Sequence, residues 1–332
     1  MKNFEYLEPR TVEEIRDMLG TYRGKAKLLA GGTDLLVAMK QARASSSVLI
    51  NLKTVSGLNG IEDKPEGLEI GATTPLSDLV KSKALREKCP LIPQAAAGIA
   101  SYQIRNWGTL GGNLCLDTRC WFASQSDFWR RSYPDCRKSG GNTCYIFRKG
   151  DKCHALLSGD LVPALVVLEA EVVIQRESGQ DVIPLESLYT GDGYAPVGLQ
   201  ENEFITGVRV HPSEWTYSSF VKFSKRRAVD FALASVGMAI KLKSGSGQVE
   251  KCRIALGALS SSPLRPAAAE SLVESSEILN LDASNVARAA LESVRITSNA
   301  YAPIWYKENV LESIVEQGIN AIKQAAAEKE GK

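Results

Sequence analysis

Arg105-Asn-Trp-Gly-Thr-Leu-Gly-Gly-Asn-Leu-Cys115 is the stretch around which the chain is organised. Gly108, Gly111 and Gly112 surround Thr109, so the backbone is free to take positive φ and to approach a bulky anion or ring, while Thr and Asn side chains supply hydrogen bonds. That is the chemistry of a cofactor loop. Directly after it, Cys120, Cys136, Cys144 and Cys153 place four of the seven cysteines within 34 residues, among Trp121, Phe122, Phe128, Trp129, Tyr133, Tyr145 and Phe147. Four soft ligands in aromatic surroundings suggest a metal ion or an iron–sulfur cluster.

Upstream, Phe4–Leu7 reads as a short strand, and Thr11 with Glu14 three residues on predicts a capping box for a helix that stops at Gly20. Lys27–Ala30 is the next strand. It ends in Gly31-Gly-Thr-Asp34, and Leu35–Gln41 has helical spacing. Strand, glycine turn and helix start make an anion site, because free N–H groups at a helix N-terminus point at the ligand. Ser47–Asn51 returns as the second strand of a βαβ unit.

A length of 332 residues predicts two or three domains. With 40 basic against 38 acidic residues, no nucleic-acid partner is expected. The first ten residues lack the apolar core of a signal peptide, and no run approaches the length that crosses a bilayer, so a cytoplasmic protein with no membrane partner is expected. There thiols stay reduced, and the cysteines read as ligands or buried thiols.

Further along, Thr74 or Ser77 would cap a helix over Leu76–Lys83, and Leu91–Ala100 reads as a buried helix leading to the central loop. Leu161–Ile174 reads as a strand, as does Glu203–Val210. Beyond about Tyr217, strands are predicted over Ser219–Ser224, Ala234–Lys243 and Lys251–Leu259, with Ser244–Gly247 as a hairpin turn. Helices follow over Ala267–Ser275, Asn285–Ile296 and Tyr301–Ala327, and the closing Glu328–Lys332 run reads as frayed and solvated. No complete GxGxxG and no GxxxxGK[ST] occurs, which weakens a nicotinamide or nucleotide-hydrolysing reading.

Ala30-Gly-Gly-Thr-Asp-Leu35, Ile104-Arg-Asn-Trp-Gly-Thr-Leu-Gly-Gly-Asn113, Ser158-Gly-Asp-Leu-Val-Pro163, Ile254-Ala-Leu-Gly-Ala-Leu259 and Pro263-Leu-Arg265 together resemble the FAD-binding subunits of the molybdenum hydroxylases, the xanthine dehydrogenase and carbon monoxide dehydrogenase family. The likeness covers nearly the whole chain. It implies an α+β architecture: a FAD-binding type two-part fold, with a small βαβ domain over residues 1–55 and a larger mixed α/β domain over 56–215, followed by a C-terminal sheet-and-helix domain over 216–325. Roughly forty residues, at about 116–156, depart from the family's pattern and hold the four cysteines. Such an insertion is similar to that of the 4-hydroxybenzoyl-CoA reductase β subunits, which carry an additional 4Fe-4S cluster.

The resemblance implies that Leu29, Ala30, Gly31, Gly32, Thr33, Asp34, Leu35 and Leu36 bind the FAD, with Ala30–Leu35 holding its pyrophosphate. It places Ile104 near the isoalloxazine, has Thr109, Gly112 and Asn113 bind polar groups nearby, and brings Asp160 and Lys222 to the cofactor. For the metal it implies Cys120, Cys136, Cys144 and Cys153 around a 4Fe-4S cluster. From the residues alone zinc is disfavoured, since no CxxC pair is present, but stays open, as do unrelated buried thiols. Cys115 is a possible spare ligand, Cys89 and Cys252 are simplest as buried thiols, and His154 is a second ligand or a bystander. Trp129-Arg-Arg131 and Lys225-Arg-Arg227 either face a redox partner or are solvated.

The implied function is electron transfer within 4-hydroxybenzoyl-CoA reductase, with ferredoxin as donor and with molybdenum and 2Fe-2S centres on partner subunits of a hetero-oligomer. An ordinary molybdenum hydroxylase flavin subunit acting on an aromatic, purine or aldehyde is the first alternative, and a zinc-stabilised scaffold the second. No acid–base or nucleophilic catalytic residue is expected.

Overall fold

The computed structural model describes residues 2–211, 215–298 and 300–330. Strands β1 (Glu5–Leu7), β2 (Ala26–Leu29) and β3 (Val48–Asn51) form a parallel sheet in the order β1-β3-β2. Central β3 is buried along its whole length, as an apolar strand between two neighbours must be. Helices α1 (Val12–Thr21) and α2 (Leu35–Lys40) make the crossovers. Thr11 Oγ1 accepts the Glu14 N–H at 3.1 Å, and the Glu14 carboxylate accepts the Arg10 N–H at 2.7 Å, a capping box reaching one residue further back than usual. The helix runs on to Thr21, because the positive φ that ends this segment falls at Gly24 and not at Gly20.

The middle part is an antiparallel sheet of β4 (Ile61–Lys64), β5 (Gly67–Gly71), β6 (Glu171–Arg176), β7 (Gly179–Pro184) and β8 (Phe204–Val210), in the order β4-β5-β8-β6-β7. Its core is shared with α3 (Leu76–Lys81), α4 (Lys83–Lys88), α5 (Leu91–Ala97), α7 (Leu110–Leu114) and α9 (Leu161–Val167), whereas the short α6 (Tyr102–Arg105) leads into the second glycine loop and α8 (Asp127–Arg130) lies in the cysteine segment.

Three expectations need correction here. Leu161–Ile174 is not one strand but α9 followed by β6. An unbroken apolar run is equally compatible with a buried helix, Pro163 sits in a first turn that needs no N–H, and Glu169 at φ 52° turns the chain between the two. Neither Thr74 nor Ser77 caps α3. Pro75 occupies that position, while Thr74 Oγ1 accepts from Gly60 N–H at 2.9 Å and donates to Gly60 O at 3.0 Å. Ser82 ends α3 at Lys81 and caps α4. The edge strand β7 was hidden by its polar Gln180 and Asp181, residue types that keep an edge from pairing further.

The C-terminal part is an antiparallel sheet of β9 (Tyr217–Phe223), β10 (Ala234–Leu242) and β11 (Val249–Gly257), covered by α10 (Ala267–Glu274), α11 (Ala283–Glu292) and α12 (Ile304–Glu330). The turn at Ser244–Gly247 is as expected, with Gly245 at φ +71°. Leu311, Ile314, Val315, Ile319 and Ile322 form the stripe by which α12 grips the sheet. The helix includes Glu328–Glu330, so that part of the closing run is not frayed; Gly331 and Lys332 lie outside the described residues. Helix α9 packs directly on β10 and β11, joining the second and third parts.

Two features of the framework lead to measurable consequences. At Gly31 a Cβ would lie 1.9 Å from the Trp107 carbonyl oxygen, so the two glycine loops touch backbone to backbone. Gly31→Ala must push them apart, and overpacking of this kind costs about 1–3 kcal/mol, so the urea midpoint should fall. The second is Lys307, which is fully buried; its Nζ donates to Thr297 O at 3.0 Å and Ala258 O at 3.5 Å, and burial lowers its pKa to about 8. The folded state therefore binds fewer protons than the unfolded chain between about pH 8 and the unfolded pKa of 10.5, and this group's contribution to stability rises with pH across that window. Compared with Lys307→Met, the wild type should gain denaturation free energy from pH 8 to 10.5; a pH-independent difference would refute this.

Candidate functional site

A cleft of about 700 Å³, within the range of cofactor sites, opens where the three parts meet. Of the sequence-predicted residues, Ala30, Gly31, Gly32, Thr33, Asp34, Leu35, Ile104, Thr109, Gly112, Asn113 and Asp160 all line it. Leu29 and Leu36 do not. They pack beneath Gly32, which at φ +70° would bring a Cβ to 3.0–3.2 Å from their methyl carbons. The second loop is fixed by its backbone: Leu110 N–H donates to Thr74 O at 3.0 Å, Gly111 N–H to Ala72 O at 2.8 Å, and Gly108 O accepts from Leu76 N–H at 2.9 Å.

Several polar side chains of the loops serve the scaffold. Thr109 Oγ1 accepts the Gly112 N–H at 3.1 Å and opens α7, and Asn113 Oδ1 accepts the Leu161 N–H at 3.0 Å and opens α9. Lys222 lies behind the lining. Its ammonium donates to Asp160 Oδ2 at 2.6 Å, Gly98 O at 2.8 Å and Asp230 O at 3.0 Å, which uses all three of its hydrogens. It thereby ties the third part to α9 and to the turn after α5. Burial raises the pKa of the Asp160 carboxyl, an effect that the Lys222 ammonium opposes.

The cleft is completed by residues that the sequence did not single out. Ala100 and Val229 both line it at positive φ, 46° and 54°, and are joined by a Val229 N–H to Ala100 O bond of 3.1 Å. A β-branched residue in that region is strained, and such strain gathers at binding sites. Phe231 and Arg119 form another wall, with the guanidinium 4.7 Å from the ring centroid and paired with Asp34. Cys115 has open surface toward the cleft but dense packing around it, and burial pushes its thiol to about 12.

Beside the cleft, the inserted segment leaves and returns through one closed base, where Arg119 and Leu156 exchange two backbone hydrogen bonds of 2.8 Å. Cys136, Cys144 and Cys153 are buried and Cys120 half-buried. The thiols feel one another: after burial, which raises both pKa values, ionisation of Cys120 is opposed by Cys136 and Cys144, and that of Cys153, at about 11, by Cys120 and Cys144. Among the described residues no group of three or more His, Cys, Asp or Glu converges as a single-ion site. Phe122, Tyr133 and Tyr145 form an aromatic cluster with centroids 4.9–5.4 Å apart, and Trp121 meets Tyr301 edge-on at 5.2 Å. His154 packs on Phe147 at 5.3 Å, with its pKa lowered by burial. Arg130 donates to Ala42 O at 2.9 Å, anchoring the insertion to the first part, and Lys225 donates to Tyr301 O at 2.9 Å. At least part of both basic runs is therefore structural. Cys89 and Cys252 are buried thiols, as expected.

Chemically, the arrangement offers a helix start in the first glycine loop beside a mainly apolar cleft. These features fit a dinucleotide held for electron exchange. Comparison with known proteins agrees. Residues 2–213 match the FAD binding domain family of molybdopterin dehydrogenase, and residues 219–322 match the CO dehydrogenase flavoprotein C-terminal domain. The chain is 28% identical over 322 residues to the carbon monoxide dehydrogenase medium chain of Hydrogenophaga pseudoflava, covering 96% of each. It is 30% identical over 285 residues to the aldehyde oxidoreductase FAD-binding subunit of Escherichia coli (strain K12), covering 81% of this chain and 86% of that one. A solved structure of the Hydrogenophaga pseudoflava carbon monoxide dehydrogenase superposes with a TM-score of 0.77 at 26% identity over 97% of both chains. No helix among the described residues is long and apolar enough to cross a membrane. Two loops, one cleft and an end-to-end likeness thus place the chain among the FAD-binding oxidoreductase subunits of the molybdenum hydroxylase family.

Proposed function

We propose that this chain is the FAD- and 4Fe-4S-carrying electron-transfer subunit of a 4-hydroxybenzoyl-CoA reductase. The observation that carries the reading is the placement of four cysteines, three of them buried and one half-buried, on an insertion whose base adjoins the cleft. The negative charge of a thiolate cluster suits the local sequence: residues 116–156 carry eight Lys or Arg against four Asp or Glu, whereas the whole chain is only +2. Lys138 lowers the cost of ionising Cys153. The lack of a CxxC pair weighs against the zinc scaffold.

In this reading Ala30–Leu35 hold the pyrophosphate with backbone N–H groups, Ile104 faces the ring, and Thr109, Gly112 and Asn113 shape the loop beside it. Asp160 with Lys222 fixes the junction behind it. Bound FAD supplies one- or two-electron exchange. Reduced ferredoxin is the proposed donor. Subunits carrying 2Fe-2S centres and molybdenum complete the cytoplasmic hetero-oligomer and set the substrate. The proposed domain limits are 1–55, 56–215 and 216–325. A flavin subunit of another molybdenum hydroxylase is the second reading, supported by relatives named for carbon monoxide and aldehyde.

Anaerobically purified protein should contain four irons, four acid-labile sulfides and one FAD per chain, and Cys136→Ser should lose the cluster; zinc without sulfide would overturn the assignment. With the cluster present, turnover of 4-hydroxybenzoyl-CoA by the full complex decides between the two enzymes. Gly31→Val should weaken FAD binding at least tenfold in a fluorescence titration. Unchanged affinity would refute the placement of the pyrophosphate.

A further inference from the structure

We propose that Arg119 sets the preference of the cleft for the FAD diphosphate, by neutralising the Asp34 carboxylate at the place where that dianion is held. The proposal deepens the reading of the first glycine loop as the diphosphate site and rests on it. For a cleft that takes a diphosphate, the walls are rich in acids. Asp34, Asp117, Asp160, Glu203 and Asp230 all line it, against Lys27 and Arg119 among the described residues. Each of these carboxylates has a cation beside it. Lys138 meets Asp117 at 2.5 Å, Lys222 meets Asp160 at 2.6 Å, Arg176 meets Glu203 at 2.6 Å and Arg226 meets Asp230 at 3.5 Å. Those cations stand outside the lining. Asp34 differs, because its partner Arg119 is itself part of the wall.

Asp34 closes the Gly31-Gly-Thr-Asp34 turn and directly precedes α2, but its side chain caps no N–H of that helix. Its charge is therefore met by the ion pair. The side chains of Arg119 and Asp34 are only 20% and 26% exposed, so water screens them poorly, and a carboxylate left unpaired there would repel an incoming anion. Arg119 reaches Asp34 from a fixed base: its backbone exchanges two 2.8 Å hydrogen bonds with Leu156, and its guanidinium lies 4.7 Å from the Phe231 ring centroid. Its Nε is buried without an acceptor, so charge rather than a full set of hydrogen bonds ties it to Asp34. Arg43 is near enough to feel both Arg119 and Asp34, yet it is no substitute: it does not line the cleft, and its Nε donates to Gln41 at 2.9 Å. Removing the Arg119 charge thus leaves the first glycine loop with a bare carboxylate beside the diphosphate, while the ring end of the cleft is unchanged.

The test titrates the full chain, freed of flavin, with FAD and with riboflavin, which has the ring but no phosphate, and reads dissociation constants from flavin fluorescence. Arg119→Gln should weaken FAD about tenfold or more and riboflavin less than about twofold, whereas Arg119→Lys, which keeps the charge, should stay within about threefold of wild type for both. Asp34→Asn alone should bind FAD at least as tightly as wild type, and Arg119→Gln combined with Asp34→Asn should return to within about threefold of it. Equal losses for FAD and riboflavin would mark a merely structural Arg119 and overturn the proposal. So would an Asp34→Asn chain, or a double variant, as weak for FAD as Arg119→Gln. A wild type that holds FAD no more tightly than riboflavin overturns the diphosphate placement and the proposal together, whereas a wild type that prefers FAD, with Arg119→Gln unaffected, overturns the proposal alone. If Arg119→Gln does not fold, the double variant decides: near-wild-type FAD affinity without either charge supports neutralisation, and a loss of about tenfold overturns it.

Discussion

The contact between Gly31 and the Trp107 carbonyl is the constraint on which the rest of the site depends. A loop that ends a strand in one sheet and a loop that starts a helix over another meet without an intervening side chain, and both line one cleft. Any Cβ at Gly31 would lie 1.9 Å from that carbonyl oxygen, far inside contact distance. The second loop cannot retreat, because Gly108, Leu110 and Gly111 are hydrogen-bonded to residues 72–76. The cleft is thus shaped by main chain, which suits a ligand recognised by its phosphates and an extended ring more than by a single side chain.

Polar side chains around the cleft serve mainly to hold it open. Thr109 and Asn113 cap two helices, and Lys222 spends its hydrogens on Asp160 and two carbonyls. Removing any of these would leave buried partners unsatisfied, so their effect on a cofactor would be felt through the frame. The strained backbones of Ala100 and Val229 brace each other across the same opening. Strain there is stable because α5, the Lys222 anchor and the third sheet overdetermine it.

The insertion follows a different logic. It has little regular structure of its own, only α8 and short turns, and its shape depends on a closed base, an aromatic cluster and contacts to the first and third parts. Burial raises the cost of ionising Cys153, and the Lys138 ammonium lowers it.

Local chemistry was legible in the sequence. Two glycine loops with their flanks, the Thr11–Glu14 cap, the β10–β11 turn and the four-cysteine spacing can be read because each depends on neighbours within a few residues. The division of Leu161–Ile174 into helix and strand could not be read, since a wholly apolar run has no periodicity to separate the two and only Asn113, 48 residues upstream, supplies the cap. Nor could Ala100, Arg119, Val229 and Phe231 be found, because none belongs to a motif; they reach the cleft only when α9 joins the second part to the third sheet. Glycine loops and thiols are visible from residue type and short spacing alone, because each is a local property of the chain. Which side chains remain free to meet a ligand, and which are used up holding the frame, was decided only by the tertiary structure, because a hydrogen bond or an ion pair is committed by partners far away along the chain.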